Sequence, residues 1–245
     1  MAKVMSRTVI LIQCRLASTR LPRKALIDIE GRPLLNQLYR RMQASKQAWG
    51  VWVCCPDSDV LEIEQATRLP VMGGPEKDIL TRLLGTAEKL GADRFVRVTG
   101  DNPLSDPMMI DHMIKLSVIQ DIPVVTNWRP RLYPDGVDAE VYSVSHLKAV
   151  SRDLKDEGDR EWFASWCASN LPADWVQGLK NNEDLSRFRL TVDYPEDLEV
   201  VRAIFKEMGN QLWDTNLIVR WLEQNPKVKK LNQHRVTDFG ARPCL

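Results

Sequence analysis

The most informative stretch of this sequence reads Thr8-Val-Ile-Leu-Ile-Gln-Cys-Arg-Leu-Ala-Ser-Thr-Arg-Leu-Pro-Arg-Lys24. Its first five residues are β-branched or aliphatic with no polar alternation, a pattern typical of a strand buried on both faces. From Gln13 the chain becomes polar and basic, and Pro22 prevents it from continuing as a regular helix. A buried strand followed by a cationic, hydroxyl-bearing loop is where open α/β sheets bind anions. We therefore predict that this loop holds a polyphosphate.

The charge pattern around the loop supports this prediction. A solvated surface with scattered ion pairs, each contributing about 0–1 kcal/mol, would interleave acidic residues with the basic ones. Here no acidic residue precedes Asp28. A bound triphosphate would supply the missing charge, and in a partly desolvated cleft one pair at contact interacts by roughly 4 kcal/mol. No Walker A or dinucleotide-binding glycine pattern accompanies the loop, and Gly73-Gly74 is only a turn signal. The basic residues are Arg7, Arg15, Arg20, Arg23 and Lys24.

Composition narrows the class of protein. A length of 245 residues suits roughly one to two domains. The net charge of +1 gives no global field that favours nucleic acid or an anionic membrane, so we expect neither as a partner. We see no apolar run of the roughly 18 residues that a membrane span requires, and no signal-peptide pattern at the N-terminus. The five cysteines are odd in number and lack metal-ligand spacing, so we expect free thiols and a cytoplasmic location.

Short strand patterns alternate with helical patterns along the chain, which predicts a three-layer α/β/α domain around a mostly parallel sheet. We see no linker or internal repeat, and therefore predict one domain over residues 1–245, with residues 211–245 as a C-terminal helical appendage and tail. The aromatic segment 160–176 is a candidate contact between two copies of the chain. Strands are predicted at 8–12, 51–55, 69–72, 95–99, 123–126, 137–142 and 189–193, and helices at 34–42, 59–67, 78–90, 109–119, 145–155, 159–170, from 195, and 215–224.

Two aspartates follow predicted strands. Asp101 comes after the strand at 95–99 and a glycine, and Asp193 ends the strand at 189–193. The carboxyl ends of parallel strands line the ligand crevice, so both can face the basic loop, where carboxylates and polyphosphate oxygens together suit magnesium. Each aspartate alone is more often a turn or helix cap. Asp138 and Glu140 share one face of a predicted strand, where a solvated face is as reasonable as a site.

The segment Gln13–Lys24 closely resembles the opening motif of the sugar-acid cytidylyltransferases, the enzymes that make CMP-ketodeoxyoctonate and CMP-acylneuraminate. Within that superfamily the chain is most similar to the spore-coat polysaccharide biosynthesis protein F group. Four further segments resemble family motifs in the same order, so the resemblance covers nearly the whole chain. They are Gly74-Pro-Glu-Lys-Asp-Ile-Leu-Thr-Arg82, Val96-Arg-Val-Thr-Gly-Asp-Asn-Pro-Leu-Ser-Asp-Pro107, Tyr133-Pro-Asp-Gly-Val-Asp-Ala-Glu-Val141 and Leu190-Thr-Val-Asp-Tyr-Pro-Glu-Asp-Leu198.

The resemblance implies a Rossmann-like, glycosyltransferase-A-like nucleotidyltransferase fold that uses CTP and magnesium, commonly as a homodimer. It implies attack by an acceptor hydroxyl on the α-phosphorus of CTP, with loss of pyrophosphate, in surface polysaccharide biosynthesis. Lys24, Arg20 and Asp101 would be the catalytic residues. The implied binding residues are Arg15, Ser18, Arg20 and Lys24 for the triphosphate, Arg82 for the base, Asp101 and Asp193 for magnesium, and Asp138 and Glu140 for the acceptor.

The chain departs from the family pattern at three places. Arg23 stands where the loop usually has glycine, Asn102 replaces a residue that is often cysteine, and Asp159-Arg-Glu-Trp162 lacks the histidine of the similar family segment. These departures leave the acceptor open. Two alternatives also remain open: a nucleotidyltransferase for another nucleotide or sugar, and a non-catalytic nucleotide-binding protein of a glycan pathway.

Overall fold

The structure is a computed structural model and describes residues 6–235. Nine strands form a seven-stranded sheet and a separate two-stranded ribbon, which consists of β2 and β3. Within the large sheet the order is β5-β4-β1-β6-β8-β7-β9. The strands are β1 Thr8–Gln13, β2 Asp28–Ile29, β3 Arg32–Pro33, β4 Gly50–Pro56, β5 Val71–Gly74, β6 Arg94–Thr99, β7 Val124–Thr126, β8 Ala139–Ser143 and β9 Val176–Gly178.

Helices cover both faces of the large sheet. Proline lies at the first helical position of α4, α8 and α10, where its missing N–H is not needed. Two short 3-10 helices, Lys24–Leu26 and Asp57–Asp59, precede α1 and α2. The helices are α1 Leu34–Met42, α2 Val60–Thr67, α3 Ile79–Lys89, α4 Pro107–Ile119, α5 Val144–Ser151, α6 Glu157–Glu161, α7 Phe163–Asn170, α8 Pro195–Met208, α9 Thr215–Gln224 and α10 Pro226–Lys229.

The central strand β1 shows why the fold has three layers. Its successive side chains point to opposite faces of the sheet, and from Thr8 to Ile12 they are buried on both faces. Ile10 and Ile12 belong to a core with residues of α1, α4 and α8, whereas Val9 and Leu11 belong to a core with residues of α3, α5 and α7. The predicted three-layer α/β/α arrangement is therefore confirmed.

The sheet is mostly parallel, as predicted, but β8 is antiparallel to both of its neighbours. Strand β1 pairs in parallel with β4 and β6, so their carboxyl ends lie at one edge. Because β8 runs the opposite way, its amino end meets the carboxyl end of β6, with Ala139 opposite Val98. The loops after β1 and β6 and the start of β8 therefore gather at the same edge of the sheet.

Several local predictions need correction. The strand predicted at 189–193 is wrong, because these residues join no sheet. Their β-type pairing is one isolated bridge between Arg189 and Asp135. The helix predicted at 159–170 is divided at Trp162, which lies between α6 and α7. Strand β9 was not predicted, because Val176–Gly178 is too short to show a pattern. Asp59 does precede α2, but its carboxylate bonds to the loop rather than capping that helix.

In the C-terminal part of the described chain, α10 packs against both α8 and α9. Buried side chains of α9, such as Ile218 and Leu222, extend the core that contains α8. The end of the predicted basic tail, from residue 236 onward, lies outside the described residues. Of the helices between residues 6 and 235, none is long and apolar enough to cross a bilayer.

Candidate active site

The centre of the site is an ammonium group between two carboxylates. Lys24 Nζ donates to Asp101 Oδ2 at 2.8 Å and to Asp193 Oδ1 at 2.7 Å. The lysine begins the short helix that ends the basic loop, Asp101 follows β6, and Asp193 precedes α8. The Lys24 side chain is only 13% exposed. The basic loop and the two aspartates that the sequence singled out thus converge on one point.

The contact between Lys24 and the two carboxylates shifts the pKa values of Lys24 and Asp101. Burial by itself raises the pKa of Asp101. The charge and hydrogen bond of Lys24, together with hydrogen bonds from Thr99 and the backbone, outweigh burial and hold that pKa below its usual value. Burial likewise favours a lower pKa for Lys24, and the charges of Asp101 and then Asp193 raise it above the usual value instead. Both charged forms are therefore stabilised, so that the pair is ionised at neutral pH.

The backbone of the loop is held by neighbouring elements. The Leu16 amide donates to Asp59 Oδ2 at 2.8 Å, and the Cys14 amide donates to the Cys54 carbonyl at 2.9 Å. Gly100 lies so close that a Cβ there would be 3.1 Å from the Cys14 Cβ and from the Gln13 carbonyl oxygen. A glycine before Asp101 therefore lets β6 end directly against the loop.

Arg23 has a left-handed backbone conformation, with φ 56° and ψ 28°. Glycine adopts this region without steric cost, which gives a physical reason for the glycine in the similar family motif. The Arg23 side chain forms an ion pair with Glu62 of α2. It therefore does not line the cavities described below and leaves the space beside Lys24 open.

A cavity of about 350 Å³ opens above the loop. We call it the loop cavity. All four residues predicted to hold a triphosphate lie on its wall, together with Asp101, and Ile79 adds an apolar surface. Its lining comprises Gln13, Cys14, Arg15, Ala17, Ser18, Thr19, Arg20, Lys24, Ala25, Ile79, Arg97, Thr99, Gly100, Asp101, Glu161 and Trp162.

A second cavity of about 250 Å³, which we call the distal cavity, shares part of that wall. Asp101 lies on both walls, so it stands at the junction of the two spaces. Asp138 and Glu140 both line the distal cavity, as does Asp193. The other lining residues are Arg15, Arg20, Arg97, Thr99, Asn102, Trp128, Arg131, Asp135, Glu161, Trp162, Ala164, Ser165 and Thr191.

Glu140 is held by two partners that the sequence did not reveal. Arg97 Nη1 lies 3.0 Å from both carboxylate oxygens, and Trp128 Nε1 donates to Oε1 at 2.6 Å. Arg97 and Glu140 are opposite each other on β6 and β8. Arg97 also donates to Gln13 Oε1 at 2.6 Å. A lone arginine inside the apolar run of β6 was the available signal for this buried pair.

The carboxyl groups of Asp135 and Asp138 also line the distal cavity. Burial, together with the charge of Asp138, raises the pKa of Asp135 to about 7, although Arg189 donates to it at 2.8 Å. Burial also raises the pKa of Asp138, and its ion pair with Arg131 only partly offsets this. The wall of the distal cavity therefore carries less negative charge near neutral pH than the number of its Asp and Glu residues indicates.

Two residues of α6 and the following turn close the side of both cavities. Glu161 lies 3.8 Å from the guanidinium of Arg15, and Trp162 is 37% exposed. The preceding Arg160 anchors this segment, because its guanidinium donates to Asp78 Oδ2 and to Thr81 Oγ1, both at 2.7 Å. Trp162, the residue that replaces the family histidine, is therefore fixed where the two cavities meet.

Arg82 is the one predicted site residue that lines neither cavity. It is buried, and its Nη1 donates to the backbone carbonyls of Pro75 and Glu76. Arg82 thus orders the turn between β5 and α3 rather than projecting into the open space.

The chemistry of the donor set fits a divalent cation. Asp101 and Asp193 each direct one carboxylate oxygen at the same atom, Lys24 Nζ. Hard divalent cations prefer such oxygen ligands. Within residues 6–235 no group of three or more His, Cys, Asp or Glu side chains is arranged to hold a metal. A metal here would therefore need further oxygen ligands from a bound substrate or water.

Comparison with known proteins adds an independent finding. A family model described as Cytidylyltransferase matches residues 9–158. The spore coat polysaccharide biosynthesis protein SpsF of Bacillus subtilis is 31% identical, with 84% of this chain and 90% of that protein covered. The 3-deoxy-manno-octulosonate cytidylyltransferase of Chlorobium phaeovibrioides is 34% identical, with 82% and 98% covered.

A solved structure gives the same result for the fold. The cytidylyltransferase from Leptospira borgpetersenii is 26% identical and superimposes with a TM-score of 0.86, over 94% of this chain and 98% of that chain. The predicted nucleotidyltransferase fold and the family resemblance are therefore both confirmed.

Proposed function

The chain belongs to the cytidylyltransferase family and is a nucleotidyltransferase, and we propose that it uses CTP to convert a sugar acid into its CMP-sugar, with release of pyrophosphate. The observation that carries the proposal is the position of Lys24. It ends the basic loop, lines the loop cavity and contacts both Asp101 and Asp193.

In this proposal the loop cavity receives the triphosphate. Arg15, Ser18, Arg20 and Lys24 line it and supply cations and a hydroxyl donor within one segment of chain. Arg15 has only a long contact of 3.8 Å to Glu161, so a phosphate oxygen can replace that carboxylate at little cost. Arg82 contributes by ordering the turn at residues 75–76, next to the apolar Ile79 of the cavity wall.

Asp101 and Asp193 would hold magnesium. When bound, the metal ion neutralises charge on the phosphoryl oxygens and on the leaving pyrophosphate. The residues of the chain supply the rest of the electrostatic stabilisation. Lys24 and Arg20 contact the same oxygen of Asp193, at 2.7 and 3.0 Å, so both cations lie beside a carboxylate that would hold the metal.

The distal cavity would receive the acceptor. The hydroxyl oxygen of the acceptor forms a bond to the α-phosphorus of CTP. The bond between the α-phosphorus and the oxygen that bridges to the β-phosphorus breaks, and the hydroxyl proton leaves to solvent. The products are the CMP-sugar and pyrophosphate. Asp138 and Glu140 line this cavity and can accept hydrogen bonds from sugar hydroxyls, whereas Arg97 and Arg131 supply positive charge for an acidic group. Positioning of the two substrates on either side of Asp101 supplies most of the catalysis.

We also propose a biological role, a location and an oligomeric state for the enzyme. The two curated relatives described above are named for spore coat polysaccharide biosynthesis and for a sugar-acid cytidylyltransferase, which supports a role in surface polysaccharide biosynthesis. We propose that the enzyme works in the cytoplasm as one catalytic domain. We also propose a homodimer through the aromatic segment 160–176, where Trp162 and Trp166 remain partly exposed.

The test is release of pyrophosphate from CTP and magnesium across a panel of acceptors. The panel contains 3-deoxy-manno-octulosonate, N-acetylneuraminate, and neutral and phosphorylated hexoses. We expect release to depend on a sugar acid. Release only with a sugar phosphate would favour a nucleotidyltransferase for that acceptor. Nucleotide binding without release for any acceptor would favour a non-catalytic nucleotide-binding protein.

A further inference from the structure

The proposed metal ligand Asp193 lies in a segment without regular secondary structure. Residues 189–193 form no strand, and a single isolated bridge at Arg189 connects the segment to Asp135. A ligand on a strand would take its position from the ladder of hydrogen bonds. Asp193 needs another source of order, and its neighbours supply it.

The first source is Asp197, which is completely buried in α8. Its Oδ2 accepts the backbone N–H of Asp193 at 3.0 Å and of Tyr194 at 3.1 Å. These two bonds fix the turn that carries the metal ligand. A buried carboxylate that accepts backbone donors is favourable only while its other oxygen is also satisfied.

The second source is Arg189, which spans the network. Its Nε and Nη2 donate to the two oxygens of Asp197, at 2.9 and 3.0 Å, and Nη2 also lies 3.2 Å from Asp193 Oδ2. Lys24 and Arg20 contact the other oxygen, Oδ1. Arg189 therefore orients the Asp193 carboxylate so that Oδ1 faces Lys24 and Arg20 of the basic loop.

The network is completed from the far end of the described chain. Asn232, a buried residue beyond α10, donates through Nδ2 to Asp197 Oδ1 at 2.8 Å and to the Arg189 carbonyl at 3.1 Å. Three residues later, Arg235 donates to Glu196 at 2.7 Å, and its guanidinium lies 4.0 Å from the centre of the Tyr194 ring. The C-terminal segment thus closes over the turn on both sides of Asp193.

We propose that Asn232 is a positioning residue for Asp193, so that the C-terminal segment forms part of the metal and triphosphate site. Through one amide nitrogen it fixes both Asp197, which holds the Asp193 backbone, and Arg189, which holds the Asp193 carboxylate. This inference rests on the proposed role of Asp193 as a metal ligand. It adds a residue outside the five segments that carry the family resemblance.

The test compares two asparagines of the same C-terminal region. Asn225 donates through Nδ2 to the Trp221 carbonyl at 2.8 Å, without contact to the Asp193 turn, and serves as the control. Binding of Mn²⁺ to the full-length protein with CTP, but without an acceptor, is measured from the electron paramagnetic resonance signal of the free ion. We expect about tenfold weaker Mn²⁺ binding in Asn232→Ala, the lower end of effects from groups that orient metal ligands. Asn225→Ala should bind Mn²⁺ like the wild type.

Thermal unfolding separates positioning from a general loss of structure. Asn232→Ala should lose more stability than Asn225→Ala, because it removes a buried donor from the buried carboxylate of Asp197. Mn²⁺ affinity is therefore compared at a temperature where the unfolding curves show both variants to be folded. If Asn232→Ala unfolds, Asn232→Ser keeps one donor and should show an intermediate loss of Mn²⁺ affinity. Unchanged Mn²⁺ affinity in a folded Asn232 variant would overturn the inference and leave the proposed function intact. A wild-type protein that binds no Mn²⁺ with CTP would instead contradict the proposed metal site itself.

Discussion

Lys24 donates a hydrogen bond of 2.7 Å to Asp193, although the two residues are 169 positions apart in the chain. The contact joins the first loop of the fold to the turn before α8, across the carboxyl edge of the sheet. Two carboxylates that share one ammonium would otherwise repel each other in a partly buried space. The basic loop therefore has a structural partner as well as a proposed ligand.

Lys24→Ala and Asp101→Ala should each lower kcat about a hundredfold or more, because each removes a charge that the transition state uses. Asp101→Ala should lower the free energy of unfolding by about 1–3 kcal/mol, the cost of leaving one polar partner unsatisfied. Lys24→Ala should lower it by about 3–5 kcal/mol, because Asp101 and Asp193 both lose the ammonium group between them. Initial rates of pyrophosphate release and urea unfolding curves check the two effects on the same preparations. A loss of activity no larger than the unfolded fraction accounts for would contradict the assignment of either residue.

The raised pKa of Asp135 predicts a dependence of stability on pH. The folded state holds a proton on Asp135 up to about pH 7, whereas the unfolded chain releases it near 3.8. Because the folded state binds more protons in that interval, this group lowers stability as pH rises from about 4 to 7. Asp135→Asn does not titrate, so its unfolding free energy should fall less between pH 5 and pH 8 than that of the wild type. Parallel pH profiles of the two proteins would refute this prediction.

Arg97 and Glu140 form a buried ion pair in which both residues line the distal cavity, with side-chain exposures of 17% and 4%. Arg97→Met should lower the free energy of unfolding by about 3–5 kcal/mol, because it leaves Glu140 charged and unpaired. Arg187 pairs with Glu183 and Glu223 on the surface, so Arg187→Ala should cost about 0–1 kcal/mol. The double variant Arg97→Met with Glu140→Gln should recover part of the loss. Equal effects of the buried and surface substitutions would show that burial of the pair is unimportant.

Arg23 combines a strained backbone with an exposed ion pair to Glu62. A left-handed conformation costs a non-glycine residue about 1–2 kcal/mol, and glycine avoids that cost. Arg23→Gly should therefore be more stable than Arg23→Ala by about 1 kcal/mol, since both lose the ion pair and only glycine relieves the strain. Chemical denaturation of the two variants measures the difference. An Ala variant as stable as the Gly variant would mean that the loop relaxes when Arg23 is replaced.

The sequence predicted the features that depend on local pattern. The apolar run of β1, the basic loop after it and Asp101 at the end of β6 were all placed correctly, because strand burial and the strand-to-loop change appear within a few residues. Asp193 was expected at a strand end and instead lies in an irregular turn. Its approach to Lys24 still occurs, because the fold rather than a strand ladder brings that turn to the same edge of the sheet.

The residues that support the site were not predictable in the same way. Arg97 contacts Glu140 from a position 43 residues away, and Asn232 reaches Asp197 from 35 residues away. Neither distance corresponds to a helical or strand period, and a single arginine or asparagine has no local pattern that names its partner. The family resemblance implies that Arg82 positions the nucleotide base. In the structure its guanidinium donates to the backbone carbonyls of Pro75 and Glu76, and Arg82 lines neither cavity. Such long-range buried contacts appear only once the chain is folded.

The most direct test of the account is calorimetric binding of CTP, UTP, ATP and GTP with magnesium to the wild-type protein and to Lys24→Ala. We expect the wild type to bind CTP most tightly and Lys24→Ala to weaken CTP binding at least about tenfold, because an ion-paired phosphate contact contributes more than 1.4 kcal/mol in a partly desolvated site. Preference for a purine nucleotide, or CTP binding that is unchanged without Lys24, would contradict this account.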